Sequence, residues 1–368
     1  MSTSNKHYTS VLDWDFILEK INEEKCLLVL GPEVFIGKNG VSYDKQLLEH
    51  IAPANNPNIL RFYESDGFFL FDNPSVQTKL CHQIKKFYRD KEPSETLQQL
   101  AEIPFHIILT VTPNMLLNKA IDEHGFNYQF GHYRKNKEPR SIMKPTKHNP
   151  LVYNLFGCLE SDESLILTHN DLYDYFKSIF GRKSMPQLLK ERLQDIRNIL
   201  FLGVPFDKWY MQLLLRELEI HDKSAAFLRF AANQSITDEI KTFCTEQFEI
   251  NFIFDAQAEG GKNISRFVND LYKKCELAGI LREKGATHLT DKEKIKQYIM
   301  QAKLEEAFDL LAECTMGSEL EGDVLMLAGR YRNFKRRSNN NLLRENEREV
   351  QYANIVESLI SFADQLIS

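Results

Sequence analysis

Four short turns, each at the end of an apolar run, contain the residues best suited to chemistry in this chain. They combine glycines with hydroxyl, amide and carboxylate side chains. The preceding runs are typical of buried parallel strands, whose carboxyl ends form the ligand crevice of an open sheet. The sequence therefore predicts a crevice built from four turns, which read Leu30-Gly31-Pro32-Glu33, Thr110-Val111-Thr112-Pro113-Asn114, Leu155-Phe156-Gly157 and Leu202-Gly203-Val204-Pro205-Phe206-Asp207.

The first turn has the position of a phosphate cradle but not its composition. Phosphates are held by free backbone N–H groups and by the start of a helix. Pro32 removes one N–H donor, and Glu33 adds a negative charge unless its side chain turns away. No small residue follows Gly31 to let a phosphate approach the backbone. We therefore expect this turn to bind phosphate poorly.

Strands alternate with helices through the first three quarters of the chain. This alternation predicts an α/β fold: a mostly parallel Rossmann-like sheet with helices on both faces. Asn170 or Asp171 is expected to cap the helix that runs through Phe180. The aromatic residues Phe68, Phe69 and Phe71 either pack over the sheet or form a lid or a self-association surface. The predicted strands cover 26–30, 105–109, 151–155, 198–202, 225–230 and 249–254, with a further extended piece at 164–168.

The pattern changes near Gly285, after which no strand signal remains. Thr290 and Glu293 form a capping box, which marks the start of a helix. Four amphipathic helices follow, with a polar loop at 338–341, and they predict a small all-α four-helix bundle. We therefore expect two domains, 1–285 and 288–368.

Composition and charge exclude several classes of function. The 368 residues carry a net charge of -6, so no global basic field attracts nucleic acid. No apolar run approaches the roughly 20 residues of a membrane span, and the polar N-terminus does not resemble a signal peptide. We expect no nucleic-acid partner, no membrane partner and a cytoplasmic protein. The six cysteines are scattered without metal-site spacing, so we expect no metal, zinc included, and no disulfide.

The order of the four turns resembles sirtuin-like domains, across roughly residues 10 to 275. That family has a glycine-rich loop, a T-x-N-x-D loop, an H-G pair and a late G-x-x-x-x-D segment. The chain looks closer to divergent bacterial modules found in anti-phage defence, many of which degrade NAD, than to protein-deacylating sirtuins. It implies NAD or an ADP-ribose-like nucleotide as the ligand, and it implies cofactor-binding positions at Gly31, Glu33, Thr110, Thr112, Asn114, Gly157, Gly203 and Asp207.

Three polar positions depart from the family pattern. Thr112 stands at the family's asparagine, and Asn114 stands at its aspartate, so no carboxylate is present to stabilise a developing positive charge. Phe156 stands at the family's histidine and cannot act as a general base, a role worth roughly 10²–10⁴-fold in rate. The catalytic residues are therefore unassigned, and these three are degenerate pocket positions.

Other residues of the region carry two interpretations each. His169, His132 and His148 could each replace the missing base, but they are expected at the surface or in caps, because sequence spacing alone places none of them within hydrogen-bond reach of a substrate proton. Asp207 is expected to cap the helix that follows it, and contact with a ribose or a base is the alternative.

The C-terminal helices resemble the effector-associated domains of bacterial conflict systems. The pattern Leu304-x-x-Ala307-Phe308-x-x-Leu311 and the long last helix carry the resemblance. It implies a protein partner with a similar helical domain, and a homo-oligomer is a second expectation.

Taken with the altered turns, these features predict a catalytically degenerate scaffold or sensor of a conflict or anti-phage system. The scaffold would recruit partners through its C-terminal helices. Two alternatives stay open: a NAD glycohydrolase that assembly with a partner activates, and a module that binds an ADP-ribose-like signal without cleaving it.

Overall fold

The chain folds as two compact units, Met1–Ala286 and Thr287–Ser368, and each has a hydrophobic core of its own. Within the ranges that the structure describes, no helix is both long and apolar enough to cross a membrane. The computed structural model describes residues 12–135, 137–180, 185–196, 198–218, 228–253, 263–283, 291–316, 318, 320–340 and 343–366.

A seven-stranded parallel sheet forms the centre of the first unit, and a two-stranded antiparallel hairpin, β2–β3, accompanies it. The strand order of the large sheet is β5-β6-β4-β1-β7-β8-β9. The strands are β1 (Cys26–Leu30), β2 (Ile59–Tyr63), β3 (Phe68–Phe71), β4 (Ile107–Thr110), β5 (Gln129–His132), β6 (Leu151–Asn154), β7 (Asn198–Leu202), β8 (Arg229–Ala232) and β9 (Asn251–Phe252).

Helices connect these strands in the first unit and form the second unit. Those of the first unit are α1 (Trp14–Asn22), α2 (Tyr43–Ile51), α3 (Pro74–Arg89), α4 (Glu95–Glu102), α5 (Leu116–Glu123), α6 (His169–Phe180), α7 (Gln187–Asp195), α8 (Trp209–Glu217), α9 (Asp238–Phe248) and α10 (Asn263–Leu277). Those of the second unit are α11 (Asp291–Met300), α12 (Leu304–Thr315), α13 (Glu321–Asn339) and α14 (Glu345–Gln365).

Both faces of the sheet are covered, as the continuous apolar strands predict. Side chains alternate across a strand, so β1 sends Leu28 and Leu30 into one core and Leu27 and Val29 into the other. All residues of β1 are buried, and its neighbours β4 and β7 both run parallel to it. The predicted α/β class, with a Rossmann-like parallel sheet, is confirmed.

The connections diverge at the boundary between β1 and β7. Within the large sheet, the strand that follows β1 in the chain is β4, which lies on one side of β1. The strand that follows β7 is β8, which lies on the other side. An open α/β sheet places its ligand at such a boundary, outside the carboxyl ends of the strands. The first and fourth of the four turns follow β1 and β7, so this topology brings them together.

The hairpin β2–β3 packs over the sheet, which is the first of the two interpretations given for its aromatic residues. Phe68 belongs to one core and Phe69 to the other, and both are buried. The Phe69 N–H donates to the Leu167 carbonyl at 2.8 Å, which ties the hairpin to the chain before α6.

Several predicted strands differ from the observed ones. The extended piece at 164–168 is wrong, because Ser164 ends a 3-10 turn and no strand follows it. Glu249 has φ 54° at the end of α9, so β9 begins only after it. Strand β5 was missed, since its sequence Gln-Phe-Gly-His lacks an apolar run and it lies at the sheet edge. Residues 225–227 and 254 of the predicted strands lie outside the described ranges.

Two helix caps also differ from prediction. Neither Asn170 nor Asp171 precedes α6; instead Thr168 and Asp171 bond reciprocally, with the Asp171 N–H donating to Thr168 Oγ1 at 3.1 Å. The Thr168 N–H donates to Asp171 Oδ2 at 3.1 Å in return. Asp207 does not cap α8, because Lys208 occupies that position and makes no side-chain cap bond.

The four helices of the second unit share one core, as the apolar spacing predicts. Its central side chains include Ile295, Leu311, Val324 and Leu359, each without exposed surface. The predicted polar loop begins too early, because Ser338 and Asn339 still belong to α13. Thr290, the first residue of the predicted capping box, lies outside the described ranges.

Candidate functional site

The first and fourth turns touch backbone to backbone at the boundary between β1 and β7. A Cβ added to Gly31 would lie 2.0 Å from the carbonyl oxygen of Gly203. Gly203 has φ +63°, a conformation that favours glycine, and a Cβ there would lie 2.7 Å from the Glu33 Cβ. The first and fourth turns are therefore packed too closely for a side chain at Gly31.

The backbone donors of the first turn are all occupied. The Gly31 N–H donates to the Leu202 carbonyl at 2.8 Å, and the Glu33 N–H donates to the Gly203 carbonyl at 3.4 Å. The Val34 N–H donates to the Gly31 carbonyl at 3.3 Å, and the Phe35 N–H donates to the Pro32 carbonyl at 3.1 Å. Proline itself has no N–H. A phosphate would have to displace these bonds to be held here.

The Glu33 side chain turns away from its own turn and binds the loop after β8. Its Oε2 accepts the Gln234 N–H at 2.9 Å and the Asn233 Nδ2 at 3.1 Å. Burial raises the pKa of Glu33 above its usual value, and the donors from Gln234, Asn233 and Ser235 oppose that rise. The carboxylate thus occupies an anion-binding position built from backbone and amide donors.

The polar groups of the second turn bond to one another and to β6. Thr110 Oγ1 lies 2.7 Å from Asn154 Oδ1, and Asn114 Nδ2 donates to Thr112 Oγ1 at 3.0 Å. Asn114 Oδ1 also accepts the Leu116 N–H at 3.1 Å, at the start of α5. The three polar residues of the turn are at most 3% exposed. These contacts are structural, and they leave the side chains directed at each other.

The third turn ends in an aromatic cluster. The ring of Phe156 lies 5.1 Å from that of Tyr175 and 5.9 Å from that of Tyr210, with edge-to-face geometry. Gly157 has φ +88°, and a Cβ there would lie 2.0 Å from the Ser164 carbonyl oxygen. Phe156 therefore supplies packing at the position where the family has its base.

The structure brings the predicted site residues together: Asp207 is exposed, but its negative charge still contributes to the raised pKa of Glu33. Ladder bonds join the turns, since the Val111 N–H donates to the Leu30 carbonyl and the Leu155 N–H donates to the Thr110 carbonyl. The Asp207 side chain is 59% exposed and its carboxylate lies 3.2 Å from Lys208 Nζ. Among the residues that the structure describes, no group of three or more His, Cys, Asp and Glu side chains is arranged to hold a metal.

A histidine–aspartate pair lies beside the aromatic cluster, and the sequence did not point to it. His169 Nε2 lies 3.0 Å from Asp66 Oδ2, and both side chains are about one-quarter exposed, at 27% and 23%. The His169 ring lies 5.0 Å from that of Phe68, which lies 5.3 Å from that of Tyr210. No spacing signal could reveal this pair, because the hairpin turn brings Asp66 to a helix start far along the chain.

The other two histidines named from the sequence differ from His169. Burial, together with Arg140 and Arg134, lowers the pKa of His132 to about 4. His148 is exposed. Neither makes a contact with the four turns in the hydrogen-bond and ring geometry of the described residues.

Two family models match the chain. The model described as SIR2-like domain matches residues 107–249, and the model described as Effector-associated domain 11 matches residues 290–367. The chain therefore contains a SIR2-like domain and a C-terminal effector-associated domain, so the sirtuin-like and effector-associated character expected from the sequence is confirmed. The SIR2-like match covers 107–249 of the roughly 10–275 over which that resemblance was seen, and neither match bears on a role in defence.

Solved structures of Sir2 proteins are similar at low identity. One, titled "Structural Basis for the Mechanism and Regulation of Sir2 Enzymes", is 11% identical with a TM-score of 0.36, over 72% of this chain and 98% of that one. A second, of Sir2 with a deacetylated p53 peptide and 3'-O-acetyl ADP ribose, is 12% identical with a TM-score of 0.34, over 74% and 100%. No curated protein matches the chain.

Proposed function

From a SIR2-like domain joined to an effector-associated domain, we propose a catalytically degenerate scaffold or sensor of a bacterial conflict or anti-phage system. The observation that supports it best is the occupation of the first turn: every N–H from Gly31 to Phe35 already has a carbonyl partner within the protein. A turn whose donors are satisfied has little to offer a pyrophosphate.

The side chains around the glycosidic position support the same proposal. Phe156 has no lone pair with which to accept a proton, and it packs against Tyr175 and Tyr210. Asn114 is neutral, and its amide already donates to Thr112 Oγ1 and accepts the Leu116 N–H at the start of α5. Without a base and without a carboxylate, two contributions to cleavage of the nicotinamide bond are missing.

The test is the release of nicotinamide from NAD, followed by chromatography. Purified wild-type chain is compared with the double variant T112A/N114A, each with and without a crowding agent that promotes assembly. We expect no release by either protein in any condition. Release by the wild type that the double variant abolishes would contradict the proposal and identify an enzyme.

The same architecture supports an alternative, a NAD glycohydrolase that assembly activates. The observation in its favour is the pair His169–Asp66, since an aspartate beside a histidine can orient and support it as a base. Under this alternative, forced assembly of the wild type releases nicotinamide and H169A does not. If the assembled wild type releases no nicotinamide, the alternative is wrong.

The C-terminal helices supply the recruiting surface of the proposed scaffold, since effector-associated domains generally mediate interactions. A groove of about 520 Å³ between α13 and α14 is lined by Met326, Arg330 and Glu357 among others, and Met326 is 59% exposed. An exposed apolar side chain between opposite charges fits a helical partner of the same kind.

Self-association gives a direct probe of that groove, with a second copy of the chain as the like domain. We expect the weight-average mass of the wild type in sedimentation to rise with concentration, and M326E to abolish the rise. L325E is the matched control, because Leu325 is 57% exposed but does not line the groove. Equal loss in both variants, or no rise in the wild type, would count against this surface.

A further inference from the structure

The first unit has a cavity that lies apart from the predicted cofactor-binding positions. It has a volume of about 540 Å³, within the range of small-molecule sites, and opens between the end of α3, the start of α5 and the chain after Gly157. None of the eight positions assigned from the resemblance lines it. Its lining includes the cations Lys85, Arg89, Lys91 and Lys119 and the apolar side chains of Met115 and Leu159.

The cations of this cavity are held in place without all being neutralised. Lys85 lies 2.5 Å from Asp162, and Lys119 lies 2.7 Å from Glu92. Surface pairs of this kind contribute only about 0–1 kcal/mol, so an arriving anion can share these lysines.

Arg89 and Lys91 keep their charges available. Among the residues that the structure describes, no carboxylate lies within ion-pair distance of either. Lys91 Nζ lies 4.2 Å from the ring centre of Phe87 and 5.5 Å from that of Tyr43, so ring faces rather than a carboxylate position it. Arg89, in the last turn of α3, presents a planar fork that suits phosphate oxygens.

The start of α5 adds to the positive potential, because Met115 and Leu116 line the cavity at its N-terminus. Part of the lining is apolar: Leu116 and Leu159 are 4% and 6% exposed. Glu160, the carboxylate among the lining residues, follows Leu159 in the chain and disfavours an anion beside it. Phosphate is therefore expected beside Arg89 and Lys91, whose two full charges exceed the roughly half negative charge at the C-terminus of α3. An uncharged ring is expected against Met115 and Leu159.

We propose that this cavity binds an organic phosphate, namely a phosphate or diphosphate group attached to an apolar ring system, as in a nucleoside diphosphate. Inorganic phosphate alone would leave the apolar wall uncovered and most of the volume unfilled. The site is independent of the proposed function, since a protein that cleaves no NAD can still bind this ligand.

The walls connect the cavity to two of the four turns. Met115 follows Asn114 directly, and the Leu159 N–H donates to the Pro113 carbonyl at 3.0 Å. Cys158 Sγ lies 3.5 Å from Met115 Sδ across the same junction. A bound ligand would therefore stabilise the turns after β4 and β6 from outside the sheet boundary.

The test is calorimetric titration of the full chain with ADP, adenosine and pyrophosphate. We expect ADP to bind, and adenosine and pyrophosphate each to bind at least tenfold more weakly. The variant R89A/K91A is expected to weaken ADP binding at least tenfold. The control K79A/K86A removes the same charge from exposed positions of α3 outside the cavity, and it is expected to change the Kd less than twofold.

Four outcomes would overturn the assignment. They are absence of ADP binding by the wild type, undiminished ADP binding by R89A/K91A, equal weakening by the control variant, and pyrophosphate binding as tight as that of ADP. Arg89→Gln, which removes the charge but keeps most of the side chain, repeats the test if the double variant folds poorly.

Discussion

At the scale of single residues, the Glu33 carboxylate accepts hydrogen bonds from backbone and amide donors of the loop after β8. The sequence placed a negative charge in the first turn and left open whether the side chain turns away. The side chain does turn away, and the Gln234 N–H and the Asn233 amide donate hydrogen bonds to its carboxylate. The loop after β8, whose residues carried no motif, is therefore fixed by an internal anion.

The contact between Gly31 and Gly203 can be tested by a single methyl group. Gly31 has φ -106°, which alanine adopts freely, so Gly31→Ala acts only through its Cβ clash with the Gly203 carbonyl. We expect the free energy of unfolding to fall by roughly 3 kcal/mol or more, because backbone atoms must move. Urea unfolding followed by tryptophan fluorescence measures it, since Trp14 and Trp209 both lie in the first unit.

Gly37→Ala is the matched control for this experiment. Its added Cβ would meet the end of the flexible Gln46 side chain at 2.6 Å and no backbone atom among its three nearest neighbours. We expect a loss of about 1 kcal/mol or less, because that side chain can move aside. A Gly31→Ala variant as stable as Gly37→Ala would show that the two turns do not touch.

At the scale of elements, the helices of the second unit owe their stability to one apolar seam. Leu359 and Ile360 are neighbours on α14, but Leu359 has no exposed surface and Ile360 is 37% exposed. We expect Leu359→Ala to lower the free energy of unfolding of this unit by about 2–5 kcal/mol. Ile360→Ala is expected to cost less than about 1 kcal/mol, because it removes little buried surface.

Circular dichroism of the full chain at rising urea follows the helical transition in both variants. Tryptophan fluorescence reports on the first unit in the same samples, because the second unit contains no tryptophan. Equal midpoints for the two variants would contradict the assignment of Leu359 to the core.

Sequence reasoning recovered the elements with strong periodicity and missed those without it. Cys26–Leu30 is apolar throughout and Asn198–Leu202 is apolar after its first residue, so their strands were placed correctly. Gln129–His132 pairs only with β6 at the sheet edge and shows no such run. The α8 cap was assigned to Asp207 by residue type, but the turn before α8 puts Lys208 there, which local propensity does not encode.

The proximity of the strand-end turns was predictable from the sequence, but the partners of their polar groups were not. The strand ends of a parallel sheet meet at one edge, so Gly31, Thr110 and Gly203 had to lie near one another. Whether their donors face a ligand or each other depends on long-range contacts. The pairing of His169 with Asp66 also depends on where a hairpin turn falls, and no sequence spacing reports that.

At the scale of the whole molecule, we propose that the SIR2-like domain and the effector-associated domain divide two tasks. In this proposal the first retains the architecture of a nucleotide-binding fold while its own residues occupy the boundary between β1 and β7. The second would offer a surface for partners. A scaffold of this kind needs a stable fold, but it does not need to cleave NAD.

The central claim is that the first turn is satisfied by the chain itself, and hydrogen exchange tests it most directly. The amides of Gly31, Glu33, Val34 and Phe35 are followed in the full chain, with and without millimolar NAD. We expect slow exchange in the absence of NAD and no change on its addition, because carbonyls of the first turn, of β7 and of Gly203 already accept these hydrogen bonds. Fast exchange that NAD slows would contradict the claim and show a turn built to bind the nucleotide.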